Sequence, residues 1–463
     1  MTNLPLKIVE CLNASRDSGI LIWLFNIGAE RYWHQSPAAV VDRSEDALVG
    51  RMEEMNLLLC RTQDIMIMRE YPDREFLDRL RSTGFAVPEI VVPDPSDPYT
   101  PISELVLRDA KLLARIAEIA RANDDVYLIP YAVTHLEEQI ASRCSLRVVG
   151  GPSSISKIVN NKIHSRELAL SLNMPVCEGE ICASIEEVRQ AYRRLKSGSP
   201  GFEKVIIKEP HGASGKGLYI VDNDGMLEPL LLRLARASRK LSDPQWLVEG
   251  WHASKADINY QLFIAESGEV DVFSVKRQLL TGTVYIGSKM PADLTPEESE
   301  RYRAYGRQIG KELHDLGYTG IASIDSIITA EGETIVPIVE INGRFTLSTY
   351  ISFAGEALGG TALLSRYFKL VTGASLSYGE LCERLDREGL LFKRDMGEGV
   401  LPYTSGTLPA RFDQAKGGYP GRLFVLIAAK EWSRTLAYNE RLERFVHALS
   451  QSANKEAKQW KLV

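Results

Sequence analysis

The side chains best suited to chemistry lie in the stretch "SIDSIITAEGETIVPIVEINGR", Ser323 to Arg344. If Glu331-Gly332 is the turn of a β-hairpin, Asp325 faces Ile338 and Glu340 faces Ser323. Asp325, Glu340 and Asn342 then share one face, with the two acidic residues diagonal to each other and about 7–8 Å apart. Pro337 lacks an N–H and could add a bulge that shifts this register by one residue.

Three oxygen-bearing side chains on one face suit Mg²⁺, which binds one or two carboxylates together with substrate phosphates. The other face is apolar (Ile324, Ile328, Val339 and Ile341), and two carboxylates beside that layer would repel each other without a cation. The alternative is a half-solvated strand face that merely carries acidic residues. The pattern predicts a site for Mg²⁺, with Mn²⁺ as a substitute.

A second candidate is "KVIIKEPHGASGKGLYIV", Lys204 to Val221, which has the glycines of a phosphate-binding loop. It is not a P-loop, because Gly217 follows Gly215-Lys216 where Ser or Thr is needed. It is not a dinucleotide fingerprint either, because a second apolar run follows instead of a helix. A strand–loop–strand hairpin remains, with Lys208 on its first strand. An ordinary Gly-rich β-turn is the alternative.

A third polar face belongs to the hairpin that turns at Ser267-Gly268. Its register places Asn259 opposite Lys276, so that Asp257, Asn259 and Lys276 share a face. A lysine among such partners is either a phosphate ligand or a member of a surface ion pair. The sequence leaves both readings open.

Composition limits the classes of protein. The chain has 463 residues, 44% hydrophobic and 25% charged, with a net charge of −6, and this predicts a globular protein of two to four domains that binds neither nucleic acid nor an anionic membrane. No apolar run reaches transmembrane length, and Met1 to Ser18 has no hydrophobic signal core. The six cysteines form no C-x-x-C pair. We expect a cytoplasmic protein with reduced thiols.

The first ~150 residues alternate short apolar runs with helical patterns, which is typical of parallel βαβ units. The clearest helix runs from Ile102 to Arg121. The strands expected there are Ile20–Phe25, Asp64–Met68, Ile90–Val92, Val126–Ile129 and Arg147–Val149. Asn26 to Glu30 follow the first strand, where open α/β sheets bind ligands. A plain βα turn is the alternative for these five residues.

From Gly150 the pattern changes to helices and antiparallel hairpins. Pro152 and Ser153 open a helix that closes before Asn173, and a charged helix follows from Ser184 to Leu195. Residues 279–300 lack periodicity and are expected to form a mobile loop. The later elements expected are Leu247–Glu249, Gln261–Ala265, Val270–Val275, the helix Arg301–Leu316, the hairpin Ile321–Thr329 with Thr334–Ile341, the strand Leu423–Ala429 and a terminal helix from Glu431 to about Leu449.

Four features follow one another along the chain: a helix lysine (Lys162), a strand lysine before a glycine loop, "LVEGW" and "EINGR". In this order they resemble the ATP-grasp superfamily, in which two α+β subdomains close on ATP. The resemblance covers roughly residues 1–370. It implies an α/β (α+β ATP-grasp) fold: a Rossmann-like pre-ATP-grasp domain (1–150), an N-subdomain with the glycine loop (151–245), a C-subdomain with the metal site (246–373) and a C-terminal extension (374–463).

The resemblance also implies roles for individual residues. Lys162 and Lys208 would contact the α- and β-phosphates of ATP, under a loop that includes Gly212, Ala213, Ser214, Gly215 and Gly217. Glu249, Trp251 and His252 would hold adenine, and Asp257 the ribose. Glu340 and Asn342 match the magnesium ligands of the family, with Asp325 as their acidic partner. Arg344 would contact the transferred phosphoryl group or the acyl phosphate, assisted by Lys276 or Arg277.

Two positions depart from the family pattern. Glu209 stretches the usual lysine-proline pair to Lys-Glu-Pro, and Ser323 stands where ligases of the D-alanine:D-alanine type carry arginine. The second departure moves the anion-binding role towards Arg344 and Lys276. The phrase "LIPYAVTHLEEQIA" and the tail around "LPYTSGTLPARFDQ" resemble more specifically the pheganomycin-type peptide ligases.

Family chemistry implies that a small-molecule carboxylate attacks the γ-phosphate of ATP and that an amine captures the acyl phosphate. Three alternatives remain: transfer to the thiol of a carrier protein, a small-molecule kinase, and a nucleotide-binding regulator without turnover. A homodimer is compatible with this chemistry. The sequence does not identify the carboxylate or the amine.

Overall fold

The computed structural model describes residues 19–33, 43–199, 201–212, 215, 217–239, 243–359 and 362–459. Three β-sheets organise this part of the chain: a five-stranded parallel sheet, a four-stranded antiparallel sheet and an eight-stranded antiparallel sheet. This is the α/β architecture that the sequence predicts. The predicted absence of a signal core in Met1 to Ser18 concerns residues outside the described part.

The first domain is a parallel sheet in the order β3-β2-β1-β4-β5, and its strands confirm the five predicted ones. They are β1 (Ile20–Leu24), β2 (Ile65–Ile67), β3 (Glu89–Val91), β4 (Val126–Pro130) and β5 (Arg147–Val148). The α-helices are α1 (Arg43–Gly50), α2 (Arg74–Thr83), α3 (Ile102–Arg108), α4 (Ala110–Ala122) and α5 (His135–Cys144). Short 3₁₀ segments cover Ala29–Tyr32 and Arg51–Leu58.

The second region carries the four-stranded sheet, in the order β6-β9-β7-β8. Its strands are β6 (Gly179–Cys182), β7 (Val205–Lys208), β8 (Leu218–Val221) and β9 (Trp246–Gly250). Its helices are α6 (Ser153–Val159), α7 (Lys162–Ser171), α8 (Ile185–Ser197) and α9 (Asp224–Ser238). Strands β7 and β8 form the predicted hairpin around the glycine loop.

The eight-stranded sheet has the order β14-β13-β10-β11-β12-β15-β17-β16. Its strands are β10 (Ser254–Ile264), β11 (Val270–Thr281), β12 (Val284–Met290), β13 (Gly320–Thr329), β14 (Ile335–Asn342), β15 (Ala362–Thr372), β16 (Gly399–Pro402) and β17 (Tyr419–Ala429). The helices are α10 (Pro296–Asp315), α11 (Ala354–Leu358), α12 (Tyr378–Arg387) and α13 (Trp432–Gln459). The segment predicted as a C-terminal extension thus adds β16 and β17 to this sheet.

Two helices predicted as continuous are each divided in two. The backbone of Asp109 is extended, and its side chain caps α4 by accepting from Leu112 N. Asn161 does the same for α7 by accepting from Ile163 N. Asp and Asn compete for backbone N–H groups, so each starts a new helix where periodicity alone suggests continuation.

The prediction of a mobile loop over residues 279–300 is wrong. Strand β11 continues to Thr281, β12 pairs with both β11 and β15, and α10 begins at Pro296 behind a Thr295 capping box. Bulges interrupt the alternation of side chains in this region, with a register shift at Leu279/Leu280. Because of this irregularity, β12 lacks the period-two alternation that would have predicted a strand.

The first domain and the eight-stranded sheet share one hydrophobic core. Phe345 follows directly after the "EINGR" strand, and its ring packs 6.1 Å from that of Trp23 and 5.6 Å from that of Tyr350. Its amide donates to Tyr131 O at 2.9 Å. The end of β14 is therefore fixed against the first domain. Among the described residues, no helix is both long enough and apolar enough to span a bilayer.

Candidate active site

Asp325 and Glu340 face each other directly on β13 and β14. The predicted register holds near the turn, where Ile328 pairs with Ile335, but Ser326 then opposes a bulge that begins at Pro337. Tyr260 stabilises the bulge by donating its hydroxyl to Pro337 O at 2.8 Å. The predicted pairing of Asp325 with Ile338 is wrong, because the proline cannot donate to the ladder and the register shifts by two residues. A shift by two keeps the carboxylates on one face and brings them closer.

The carboxylate of Asp325 lies at the centre of a network of amides. Its Oδ1 accepts from Asn259 Nδ2 at 2.9 Å and from Gln278 Nε2 at 2.7 Å, while Oδ2 accepts from Asn342 Nδ2 at 3.3 Å. Burial, followed by the charge of Glu340, raises the pKa of Asp325 to about 6. The two carboxylates are therefore held together at an electrostatic cost that a cation would remove.

The residues at this place fit a magnesium ion. Two carboxylates and the amide of Asn342 provide hard oxygen donors, and partial exposure leaves room for phosphate oxygens and water. Within the described ranges no group of three or more His, Cys, Asp or Glu residues is arranged to hold a metal.

Lys162 connects the second region to the carboxylates. It is the first residue of α7, its amide donates to Pro210 O at 2.8 Å, and its side chain is 2% exposed. Nζ lies 3.0 Å from Glu340 Oε1 and donates to Gly212 O at 3.2 Å. One ammonium thus touches a predicted metal ligand and the start of the glycine loop.

Lys208 and Glu249 form a second buried pair, between β7 and β9. Nζ of Lys208 lies 2.5 Å from Glu249 Oε2, and Arg166 Nη1 donates to Glu249 Oε1 at 2.7 Å. Burial disfavours the ammonium form of Lys208, but the Glu249 carboxylate outweighs it and the pKa is raised. The structure therefore places Lys208 and Glu249, two predicted site residues, in contact with each other. Arg166, which was not predicted, contacts the same carboxylate.

The glycine loop starts at Gly212 and returns to β8 through Gly217. The backbone at Gly215 and Gly217 has positive φ, +80° and +74°, a conformation that only glycine adopts without strain. Glu209 N donates to Gly217 O at 2.8 Å, which closes the base of the loop. The predicted contacts Ala213 and Ser214 lie outside the described residues.

The residues predicted at adenine and ribose follow β9 and enter β10. Trp251 N donates to Lys204 O at 2.9 Å, and His252 Nε2 lies 2.6 Å from Glu178 Oε2. The half-buried Asp257 accepts from Ser254 Oγ at 2.8 Å, and burial raises its pKa. Trp251 and His252 lie in the connection between the two antiparallel sheets, and Asp257 lies in β10. Their predicted contacts with the nucleotide remain predictions.

Arg344 is buried between the end of β14 and the first domain. Nη1 donates to Tyr131 OH at 3.1 Å, and Nε lies 3.1 Å from Glu30 Oε1 without a well-aligned hydrogen bond. Burial opposes its charge, but Tyr131, Glu30, Glu340 and Asp325 together raise its pKa. Glu30 belongs to the turn after β1, so the turn that the sequence marked as a possible ligand site contacts the "EINGR" arginine.

Lys276 and Arg277 lie on opposite faces of β11. Lys276 pairs with Asn259, which pairs with Asp325, so Lys276 is in the same row as the two carboxylates. Lys276 is fully buried, which excludes the surface ion pair, and its Nζ donates to Ser352 Oγ at 2.6 Å. Arg277 instead donates to Lys255 O at 2.8 Å. The structure places Lys276, but not Arg277, on the face of the site.

The sequence reasoning missed Arg166, Gln278 and Tyr131. Arg166 had a detectable signal, because it lies four residues after Lys162 and therefore on the same face of a helix. Gln278 lies two residues after Lys276 and shares its face by strand alternation. Tyr131 had no local signal, since only the packing of the first domain against β14 brings it to Arg344.

Family models match three successive parts of the chain. Residues 52–146 match the Pre ATP-grasp domain, residues 159–348 an ATP-grasp domain and residues 380–442 the PGM1 C-terminal domain. The middle match contains Lys162, Lys208, Glu249, Asp325 and the "EINGR" strand. The matches therefore identify an ATP-grasp domain at residues 159–348, with a Pre ATP-grasp domain before it and a PGM1 C-terminal domain after it.

Two curated relatives extend this finding. The chain is 27% identical over 420 residues to the [Butirosin acyl-carrier protein]--L-glutamate ligase of Niallia circulans, a match covering 88% of this chain and 90% of the relative. It is 25% identical over 343 residues to the L-propargylglycine--L-glutamate ligase of Streptantibioticus cattleyicolor, a match covering 67% and 70% of the two chains.

Solved structures share the fold at low sequence identity. The ADP complex of N5-carboxyaminoimidazole ribonucleotide synthetase aligns with a TM-score of 0.54 and 15% identity over 93% of this chain and 97% of its own. The biotin carboxylase domain of the 2-oxoglutarate carboxylase of Hydrogenobacter thermophilus, in complex with MgADP, ADP and bicarbonate, gives 0.52 and 15% over 90% and 88%. Two proteins with this fold therefore bind ADP.

Replacing Lys276 by Met is expected to stabilise the protein near pH 7, by about 1–3 kcal/mol, because it removes a buried ammonium without an ion-pair partner among the described residues. Burial lowers the pKa of Lys276 well below 10.5. The wild type therefore gains stability as pH rises from that lowered pKa towards 10.5. The difference in stability between the variant and the wild type should shrink over the same range of pH.

Thermal unfolding midpoints at neutral and alkaline pH measure this trend. Lys204→Met, at an exposed position on the same chain, is the matched control and should show no such dependence. A Lys276→Met protein that is less stable than the wild type at pH 7 would mean that the ammonium is stabilised by a partner.

Proposed function

We propose that the protein uses ATP to activate the carboxylate of an amino acid or small peptide as an acyl phosphate, and couples it to an amine with release of ADP and phosphate. The observation that carries this proposal is the charge pattern on one face. The facing carboxylates Asp325 and Glu340 lie among the cations Lys162, Lys208 and Arg344. Such a surface matches a metal-bound triphosphate beside an anionic substrate.

In the first step, a carboxylate oxygen of the substrate attacks the γ-phosphorus, and the bond from that phosphorus to the β–γ bridging oxygen breaks as ADP leaves. Lys162 and Lys208 hold the phosphates, and Arg344 faces the charge that develops on the transferred group. Mg²⁺ between Asp325, Glu340 and Asn342 would neutralise phosphate charge and align the triphosphate. ATP and Mg²⁺ are thus the proposed cofactors, with Mn²⁺ as a substitute.

In the second step, the amine nitrogen attacks the acyl carbon, the C–O bond to phosphate breaks, and the nitrogen loses a proton. No protein nucleophile is needed, because the reactive intermediate lies on the substrate. Water must be excluded, since it would hydrolyse the acyl phosphate. Closure of the glycine loop between Gly212 and Gly217 over the phosphates is the proposed means.

L-Glutamate is the amino acid that we propose as one substrate, because both relatives are named as L-glutamate ligases. One relative also acts on an acyl-carrier protein, which keeps a carrier protein as a candidate acceptor. Assignment to the pheganomycin type remains a prediction from the sequence. Mass analysis of products formed from glutamate with small amines, or with a carrier, distinguishes the acceptors.

Glu340→Ala should abolish ADP formation, because it removes one of the two facing carboxylates. The variant also leaves Lys162 without its ion pair, so Glu340→Gln is a second test that keeps the shape of the side chain. Substrate-dependent ADP release is the measurement, with circular dichroism to verify the fold. Glu331→Ala, in the exposed turn of the same hairpin, should retain wild-type turnover. Undiminished turnover in both Glu340 variants would refute the metal site.

Lys208→Ala should weaken ATP binding by about tenfold or more, because a buried charge at the phosphates is lost. Calorimetric titration with a non-hydrolysable ATP analogue measures the affinity. Lys204→Ala, four residues earlier and exposed, is the control and should bind like the wild type. If Lys208→Ala bound the analogue with unchanged affinity, the glycine stretch would be an ordinary β-turn.

A further inference from the structure

Two segments of the first domain hold the buried guanidinium of Arg344. The turn after β1 contributes the carboxylate of Glu30, whose Oε1 lies 3.1 Å from Nε of the arginine. The segment after β4 contributes Tyr131, whose hydroxyl accepts from Nη1 at 3.1 Å. Nη1 also donates to Phe345 O at 3.2 Å. Nε therefore has a carboxylate beside it, and Nη1 has two acceptors.

A buried side-chain amide ties these two segments together. Asn26 is 6% exposed; its Nδ2 donates to Ala132 O at 2.8 Å, and Ala132 N donates to its Oδ1 at 3.0 Å. The backbone of the turn is closed by Ala29 N, which donates to Asn26 O at 3.1 Å. Strands β1 and β4 are themselves adjacent and parallel. The positions of Glu30 and Tyr131 are therefore fixed relative to each other.

The third nitrogen of the guanidinium, Nη2, has no acceptor within the described part of the chain. Arg344 is 7% exposed, and its described hydrogen bonds all leave from Nη1. A guanidinium is a rigid, planar fork of five N–H donors, so restraining Nε and Nη1 also fixes the direction of Nη2. The charges of Glu340 and Asp325 act on the same guanidinium. Nη2 is thus a fixed donor near the proposed metal ligands.

Glu30 is a carboxylate of the first domain with 8% exposure. Among the described residues, Arg344 is the one cation within ion-pair distance of it. Burial of a carboxylate is costly, and pairing with the arginine offsets that cost. An ion pair that only joined two domains would explain this contact as well. It would not explain why the arginine keeps one nitrogen without an acceptor beside the facing carboxylates.

We propose that Glu30 is a positioning residue for phosphoryl transfer, which holds Arg344 together with Tyr131 so that Nη2 points at the transferred phosphoryl group. The proposal rests on the ligase function proposed above. An unrestrained arginine would lose rotamer freedom each time it oriented towards this group. Because the first domain restrains it in advance, the donor can act on the charge that develops in the transition state.

Glu30→Gln tests the proposal, because it removes the charge and keeps the size of the side chain. We expect kcat for glutamate-dependent ADP formation to fall about tenfold or more, with the KM for ATP unchanged, since the arginine acts in the transition state. Calorimetric titration with MgADP should give wild-type affinity and stoichiometry, because ADP lacks the transferred group. A merely structural role would lower the stoichiometry in proportion to kcat, since part of the protein would be misfolded.

Two further variants complete this experiment. Tyr131→Phe removes one acceptor of Nη1 and keeps the ring, so kcat should fall in the same direction but by less. Glu118→Gln, at an exposed position of α4, is the matched control and should keep the wild-type kcat. Wild-type kcat in Glu30→Gln, or a loss of MgADP stoichiometry that accounts for the lost kcat, would overturn the proposal.

Failure of the ligase function gives a different result. If the wild type formed no ADP with any amino acid, the proposed activation step would be wrong, and NMR would still decide what holds the arginine. In protein labelled with ¹⁵N-arginine, the Nε–H signal that disappears in Arg344→Lys belongs to Arg344. Broadening or loss of this signal in Glu30→Gln, but not in Glu118→Gln, supports the restraint by Glu30. An unchanged signal in Glu30→Gln refutes it.

Discussion

The partly buried carboxylates of Asp325 and Glu340 lie on facing strands and repel each other. The side chains around them are arranged so that they compensate this repulsion. Asp325 is held by three amides, Glu340 is paired with Lys162, and Arg344 lies close enough to both for their charges to raise its pKa. The pKa of Asp325 is nevertheless raised to about 6. The protein therefore holds the pair at a cost, which is typical of sites whose function needs the charge.

The two lysines proposed to bind phosphate are paired with carboxylates of the same site. Lys162 contacts Glu340, and Lys208 contacts Glu249. A metal-bound triphosphate offers these lysines new anionic partners and offers Glu340 a cation. In the proposed complex, binding would exchange these ion pairs and leave no buried charge unpaired, which would limit the desolvation cost of binding. The contact of Arg344 with Glu30 and Tyr131 extends the same charge network to the first domain.

The sequence predicted the fold class and most strands, because alternation and helical periodicity are local signals. It also predicted that Asp325, Glu340 and Asn342 share a face, since strand alternation survives a bulge of two residues. It did not predict the direct pairing of Asp325 with Glu340, because the size of the bulge at Pro337 depends on Tyr260 and on packing. It missed β12, whose bulge breaks the alternation, and Tyr131, whose position is set by contacts between domains. The contributions of Ala213 and Ser214 lie outside the described part of the chain.

A crystal structure with MgADP tests the central claim most directly. It should show Asp325 and Glu340 ligating one magnesium ion, with Lys162 and Lys208 moved from their carboxylates onto phosphate oxygens beneath the glycine loop. A nucleotide bound elsewhere, with the ion pairs of Lys162 to Glu340 and Lys208 to Glu249 intact, would contradict it.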